Sequence, residues 1–126
     1  MSFVWASKKP KDGVATLYES NITLNKSASS HFDHAYSVLL GLDTTGMKVA
    51  VKPISKDESQ VGDIPKEKKH KITVKPSYAR VCNKKFMREI ADLIKIDLTE
   101  NNSFKFKTNW SDEVHALIID LNQQEV

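Results

Sequence analysis

Residues 22–54 read ITLNKSASSHFDHAYSVLLGLDTTGMKVAVKPI, and a second stretch built to the same plan follows between residues 80 and 121. Within 22–54, a short strand over 22–24 leads into a helical turn opening at Asn25, whose side chain can accept from an orphan backbone N–H of the first turn. A hairpin then runs over 36–43, turns at Thr44, Thr45 and Gly46, and returns over 47–54. The return strand alternates, with Met47, Val49 and Val51 on one face and Lys48, Ala50 and Lys52 on the other, as a half-buried strand requires. Gly46 is the expected site of the positive φ that such a turn commonly needs.

The second copy extends the argument to the whole chain. Residues 80–84 (RVCNK) align with 22–26 (ITLNK) at an offset of 58, and 72–74 align with 14–16 at the same offset. The hairpin 103–121 aligns with 36–54 at an offset of 67, which implies a longer helix and loop in the second half. Both halves therefore read strand, turn, strand, helix, hairpin, and repetition of a whole plan in order is more informative than a match to either half.

At these residues the chain resembles the AbrB/MazE-like (SpoVT/AbrB) swapped-hairpin family. In that family a strand ending in a V-T-I-P-K-like segment precedes a short helix and a hairpin closing on K-[IV]-x-[IVL]-[KR]-P. The matching residues are Ile22-Thr23-Leu24-Asn25-Lys26 and Lys48-Val49-Ala50-Val51-Lys52-Pro53. The resemblance implies a mainly β fold with short helices, a β-barrel that two family chains close by interlocking hairpins. With two units in one chain, it implies an intrachain pseudo-dimer, monomeric or weakly homo-oligomeric.

A chain of 126 residues with 40% hydrophobic content suits one compact domain over 1–126. The first half spans 13–54, a linker 55–70, and the second half 71–121. A single cysteine, Cys82, excludes an internal disulfide; no secretory h-region follows Met1, and no run nears the ~18 apolar residues of a membrane span. A cytoplasmic protein without membrane attachment is expected. The Phe3-Val4-Trp5 patch reads as an edge strand, and Lys8, Lys9 and Lys11 as a solvated loop or a basic arm for a polyanion. Residues 55–70 (SKDESQVGDIPKEKKH) are too polar to repay ordering, so a mobile linker is expected, open to limited proteolysis. The final residues 123–126 are expected to fray.

Charge is uneven along the chain, although the formal net charge is only +3. Residues 66–88 hold nine basic side chains against Glu67 alone, whereas 89–126 hold three against eight acidic ones. The helix opening at Asn83 carries Phe86, Met87, Ile90, Leu93 and Ile94 as one apolar stripe. Lys84 and Lys85 fall in its first turn, where the macrodipole disfavours cations. Lys85 with Glu89 and Arg88 with Asp92 are spaced as (i, i+4) pairs. The last strand, VHALIIDL, is apolar on both faces near its end and suits a central position. Trp110 reads as a lid on the barrel.

No phosphate-binding glycine loop, nucleophile elbow or H-E-x-x-H motif is present, so neither an enzyme nor a cofactor is expected. His31, Asp33 and His34 lie close in sequence but lack a partner pair at zinc spacing, and with His70 and His115 isolated they read as exposed loop histidines. Cys82 reads as a small core residue. The resemblance, joined to the basic run, implies a DNA-binding transcriptional regulator that contacts phosphates through Lys71, Lys75, Arg80, Lys84, Lys85 and Arg88. The alternative is a non-catalytic protein-interaction module, antitoxin-like or accessory, which the acidic final segment and the absence of arginine from the first half favour.

Overall fold

A computed structural model describes residues 13–60, 64–99 and 102–125; the expectations for the Phe3-Val4-Trp5 patch and the basic arm after it lie outside these residues. The first half comprises β1 (Val14–Leu17), β2 (Asn21–Asn25), α1 (Lys26–Ser29) with a 3-10 turn (Ser30–Phe32), β3 (Ser37–Asp43) and β4 (Lys48–Ile54). After α2 (Lys56–Gln60) and a second 3-10 turn (Lys66–Lys68) come β5 (Thr73–Val74), β6 (Tyr78–Cys82), α3 (Lys84–Ile94), β7 (Phe104–Ser111) and β8 (Ala116–Glu125). The mainly β class with short helices is therefore the observed one. Among the described residues no helix is long and apolar enough to cross a membrane.

The eight strands form one antiparallel sheet in the order β3-β4-β8-β7-β1-β2-β6-β5. The sheet curls, and its β3 edge is bridged to the segment before β5, where Val38 and His70 exchange both backbone hydrogen bonds at 2.9 Å. Inside the curl lies one apolar core drawn from every second residue of the strands, including Leu17, Leu24, Val49, Val51, Val81, Phe106 and Ile119. Phe32 from the first half and Phe86, Met87 and Ile90 from α3 complete it. Each hairpin is flanked by strands of the other half. β1–β2 lies between β7 and β6, and β3–β4 lies between β8 and the His70 bridge. Exchanging the first four strands with the last four leaves these neighbours unchanged.

The two aligned asparagines act alike. Asn25 Oδ1 accepts from Ala28 N and Asn83 Oδ1 accepts from Phe86 N, both at 3.0 Å, and each caps the helix that follows it. Asn25 Oδ1 also accepts from Val14 N at 3.0 Å, tying the start of β1 to the cap. Asn83→Ala should therefore cost about 1 kcal/mol, and Asn25→Ala distinctly more because it frees a second N–H. Urea unfolding of the two variants tests this, and equal losses would remove the β1 tie from the account.

Several local expectations are corrected. The left-handed residue of the first hairpin turn is Met47 (φ 56°), not Gly46. Gly46 instead leaves room for a side chain: Asp43 Oδ1 accepts from Thr45 N and Gly46 N, and a Cβ on Gly46 would stand 2.6 Å from Asp43 Oδ2, so the carboxylate would have to shift. The matching left-handed residue of the second hairpin is His115 (φ 52°), so the hairpins correspond at an offset of 68 rather than 67. At 68, buried Val49 and Val51 fall on buried Leu117 and Ile119; at 67 the faces would be inverted.

Cys82 is exposed, since Ala79 and Val81 take the inward positions of β6. The described part of 55–70 includes α2 and the second 3-10 turn, joined where Lys69 Nζ donates to Ser59 O and Oγ at 2.9 and 3.2 Å. The expectation that 123–126 frays fails for its described part: β8 continues to Glu125, because after a register break between Phe106 and Thr108 it pairs again with β7.

Candidate nucleic-acid interface

With Ala79 and Val81 inside, β6 turns Tyr78, Arg80 and Cys82 outward. Register extends this outer face across five strands. Arg80 stands opposite Thr73 on β5 and Thr23 on β2; Thr23 stands opposite Thr16 on β1, and Thr16 opposite Lys105 on β7. A neighbouring row places Tyr78 opposite Asn25 and Val14 opposite Lys107, with Lys75 N donating to Tyr78 O at 2.8 Å. Alternation along the chain through β5 puts Lys71 and Lys75 on the side of Thr73. At ~4.8 Å per strand the face is roughly 20 Å wide, enough for several successive phosphates. Glu125 stands opposite Lys105 at its far edge.

This face holds three of the six expected basic residues, Lys71, Lys75 and Arg80, all exposed. The Arg80 guanidinium sits 5.4 Å from the centre of the Tyr78 ring, which restrains it without neutralising it. The face also recruits Lys105 and Lys107, which belong to the acidic final segment. Only the alternation of Phe104 and Phe106 with Lys105 and Lys107 hinted at it, and pairing with β1 was needed to place them.

Lys84, Lys85 and Arg88 sit on α3 instead. Lys84 Nζ lies 3.8 Å from Glu19 Oε1, with both side chains half-exposed; such a solvent-screened pair contributes little to stability. Among the described residues, the expected pairs of Lys85 with Glu89 and Arg88 with Asp92 are not closed. Arg88 borders a cavity of about 280 Å³ with Glu19, Asp92 and Asp97. Asp97 is held below the usual carboxylate range because the Thr99 hydroxyl, and then its backbone N–H, donate to it. Lys84 and Arg88 thus stand near carboxylates.

The histidines are less isolated than their spacing suggests. His31 stacks on Trp110 at 4.5 Å between ring centres with 6° between planes, and His115 meets the same indole edge-on at 5.0 Å. Trp110 packs against the core and donates through Nε1 to Asp112 Oδ1 at 3.0 Å. His31, His34 and His115 line a cavity of about 410 Å³ with Asp33 and Glu58. Among the described residues, no three His, Cys, Asp or Glu side chains converge well enough to hold a metal ion.

Comparison of the chain with family models, with curated proteins and with solved structures returns no match.

Proposed function

We propose that this chain is a DNA-binding protein of the swapped-hairpin regulator type, an intrachain pseudo-dimer that sets its outer sheet face against duplex phosphates. The observation that carries the reading is the outer face of β5-β6-β2-β1-β7, which gathers Lys71 and Lys75 from either side of β5, Arg80 from β6 and, from far along the chain, Lys105 from β7. The pseudo-dimer draws support from the flanking of each hairpin by strands of the other half. Phosphate recognition of this kind positions a protein on DNA; base readout would need further side chains in a groove.

Anisotropy of a labelled random-sequence duplex at two salt concentrations tests the proposal. Replacing Lys75, Arg80 and Lys105 with Ala should weaken binding, and the slope of log affinity against log salt should shrink by about 0.9 for each phosphate no longer neutralised. Replacing Lys84, Lys85 and Arg88 should change it less, since they lie on α3 and not on the sheet face. Equal effects of the two triples would move the interface onto α3, and absence of binding at low salt by the folded protein would end the reading.

A specific observation favours a second reading, a non-catalytic protein-interaction module. The outer side of β3, β4 and β8 holds an apolar cavity of about 670 Å³ lined in part by Leu39, Leu40, Ala50, Val114 and Ile118. A partner helix or strand is the kind of ligand such a surface takes. Failure to bind a duplex, together with recovery of one stoichiometric protein partner, would select this reading over the first.

A further inference from the structure

Where the β3 edge is bridged to the segment before β5, the first residues of β3, the second 3-10 turn and the approach to β5 enclose a cavity of about 620 Å³. This falls within the range of small-molecule sites. Its lining includes Lys66, Lys69, His70 and Lys71, with Ser37 below them and Tyr36 at the rim. None of the described residues that line it is acidic, and no carboxylate among the described residues pairs with its lysines.

Three features mark it as built rather than incidental. Ser37 is 7% exposed, and its hydroxyl is the one buried side-chain oxygen among the described residues without a hydrogen-bond partner; such a group costs stability unless something satisfies it. Lys69 is held in place by Ser59 through two of its three donors, leaving one. His70 is fixed by its two backbone bonds to Val38. Asn83 spends Oδ1 on capping α3, and its Nδ2 lies 3.4 Å from His70 Nδ1.

We propose that this cavity binds the phosphate group of a small phosphorylated molecule with a planar body. The lysines and the Ser37 hydroxyl supply charge and donors to the phosphate oxygens, as charge-assisted bonds to a dianion require. Tyr36, 57% exposed, and the half-buried Ile72 offer apolar surface to the rest of the ligand. A duplex, being a stiff cylinder, can lay phosphates on the outer face but cannot enter a cavity of this size. The site shares Lys71 and Thr73 with the proposed DNA face and is otherwise independent of that reading.

The test is an NMR titration of the full chain with inorganic phosphate, with adenosine monophosphate and with a short duplex. Saturable shifts at Ser37, His70 and Thr73 with both small probes, competing for one site, are the expected result. Lys69→Met should weaken both small probes about tenfold or more, while Tyr36→Ala should weaken adenosine monophosphate several-fold and leave inorganic phosphate unchanged. Both changes fall on exposed or half-exposed side chains, and the amide spectrum reports whether each variant stays folded. Shifts at these residues with the duplex alone would assign the lysines to the DNA face and overturn the proposal. Absence of saturation by either small probe at tens of millimolar would also overturn it.

Discussion

Phe32→Ala should remove about 3–5 kcal/mol of stability, a large share of the roughly 5–15 kcal/mol that a domain commonly has. Phe32 is fully buried although it lies in a single 3-10 turn between two hairpins. Its carbonyl accepts from Ala35 N at 3.0 Å, which fixes the turn that aims the ring inward. In the second half the same task is shared by Phe86, Met87 and Ile90 of α3. In the first half the helix is only four residues long, and Phe32 from the turn after it takes that place. Thermal unfolding should shift down by roughly 10–20 °C, and the urea midpoint should fall without a change in slope. Phe32→Leu, which nearly keeps volume, should cost under about 1.5 kcal/mol, and Tyr36→Ala, at an exposed ring, about 0.5 kcal/mol or less. A loss below ~1 kcal/mol for Phe32→Ala would place the ring outside the core.

What can be read from the sequence divides by distance along the chain. Alternation in Met47, Val49 and Val51, the apolar stripe of α3 and the capping chemistry of Asn25 and Asn83 are local signals, and the elements they mark are present. Positive φ is local too, yet composition points to Gly46 and the conformation belongs to Met47. Glycine there answers a side-chain approach by Asp43, and two causes of one residue choice cannot be separated by composition. The exposure of Cys82 was within reach, because Val81 is the better core residue and its neighbour must point away. The hairpin offset is 68 and not 67 because the left-handed turn residues Met47 and His115 set the register, and neither is the glycine or other residue that composition would mark.

The candidate site was half legible for the same reason. A run of basic residues over 66–88 is visible as composition, and Lys71, Lys75 and Arg80 do share a face. Nothing local separates them from Lys84, Lys85 and Arg88, whose surroundings depend on Glu19 and Asp97 arriving from other elements. Lys105 and Lys107 join the face only through the pairing of β7 with β1, which brings together residues some ninety positions apart. The stacking of His31 on Trp110 and the cavity beneath Tyr36 depend on long-range closure in the same way. Long-range pairing decides which charges meet, and a single sequence carries little record of it.

The same pairing predicts that neither half can fold by itself. Divided into 1–60 and 61–126, the chain should give two pieces that are each unfolded alone and that regain the native circular-dichroism spectrum on mixing. Among the described residues of the first piece, β1–β2 and β3–β4 share no ladder: every strand neighbour they have there beyond their own hairpin partner comes from β5–β8 or His70. Separated, it would be two two-stranded ribbons, and isolated ribbons are at best marginally stable in water. Each would expose the apolar faces of Leu17, Leu24, Val49 and Val51, as well as two unpaired edges. The second piece keeps α3 and the β7–β8 hairpin but loses β4 and β1 from the flanks of that hairpin, and β2 from β6. Mixing restores every ladder at once, so recovery should be cooperative and depend on the concentration of both pieces. A folded first piece, shown by dispersed amide resonances, would mean that its hairpins can pair with each other. The reading of one interlocked domain would then give way to two units that merely touch.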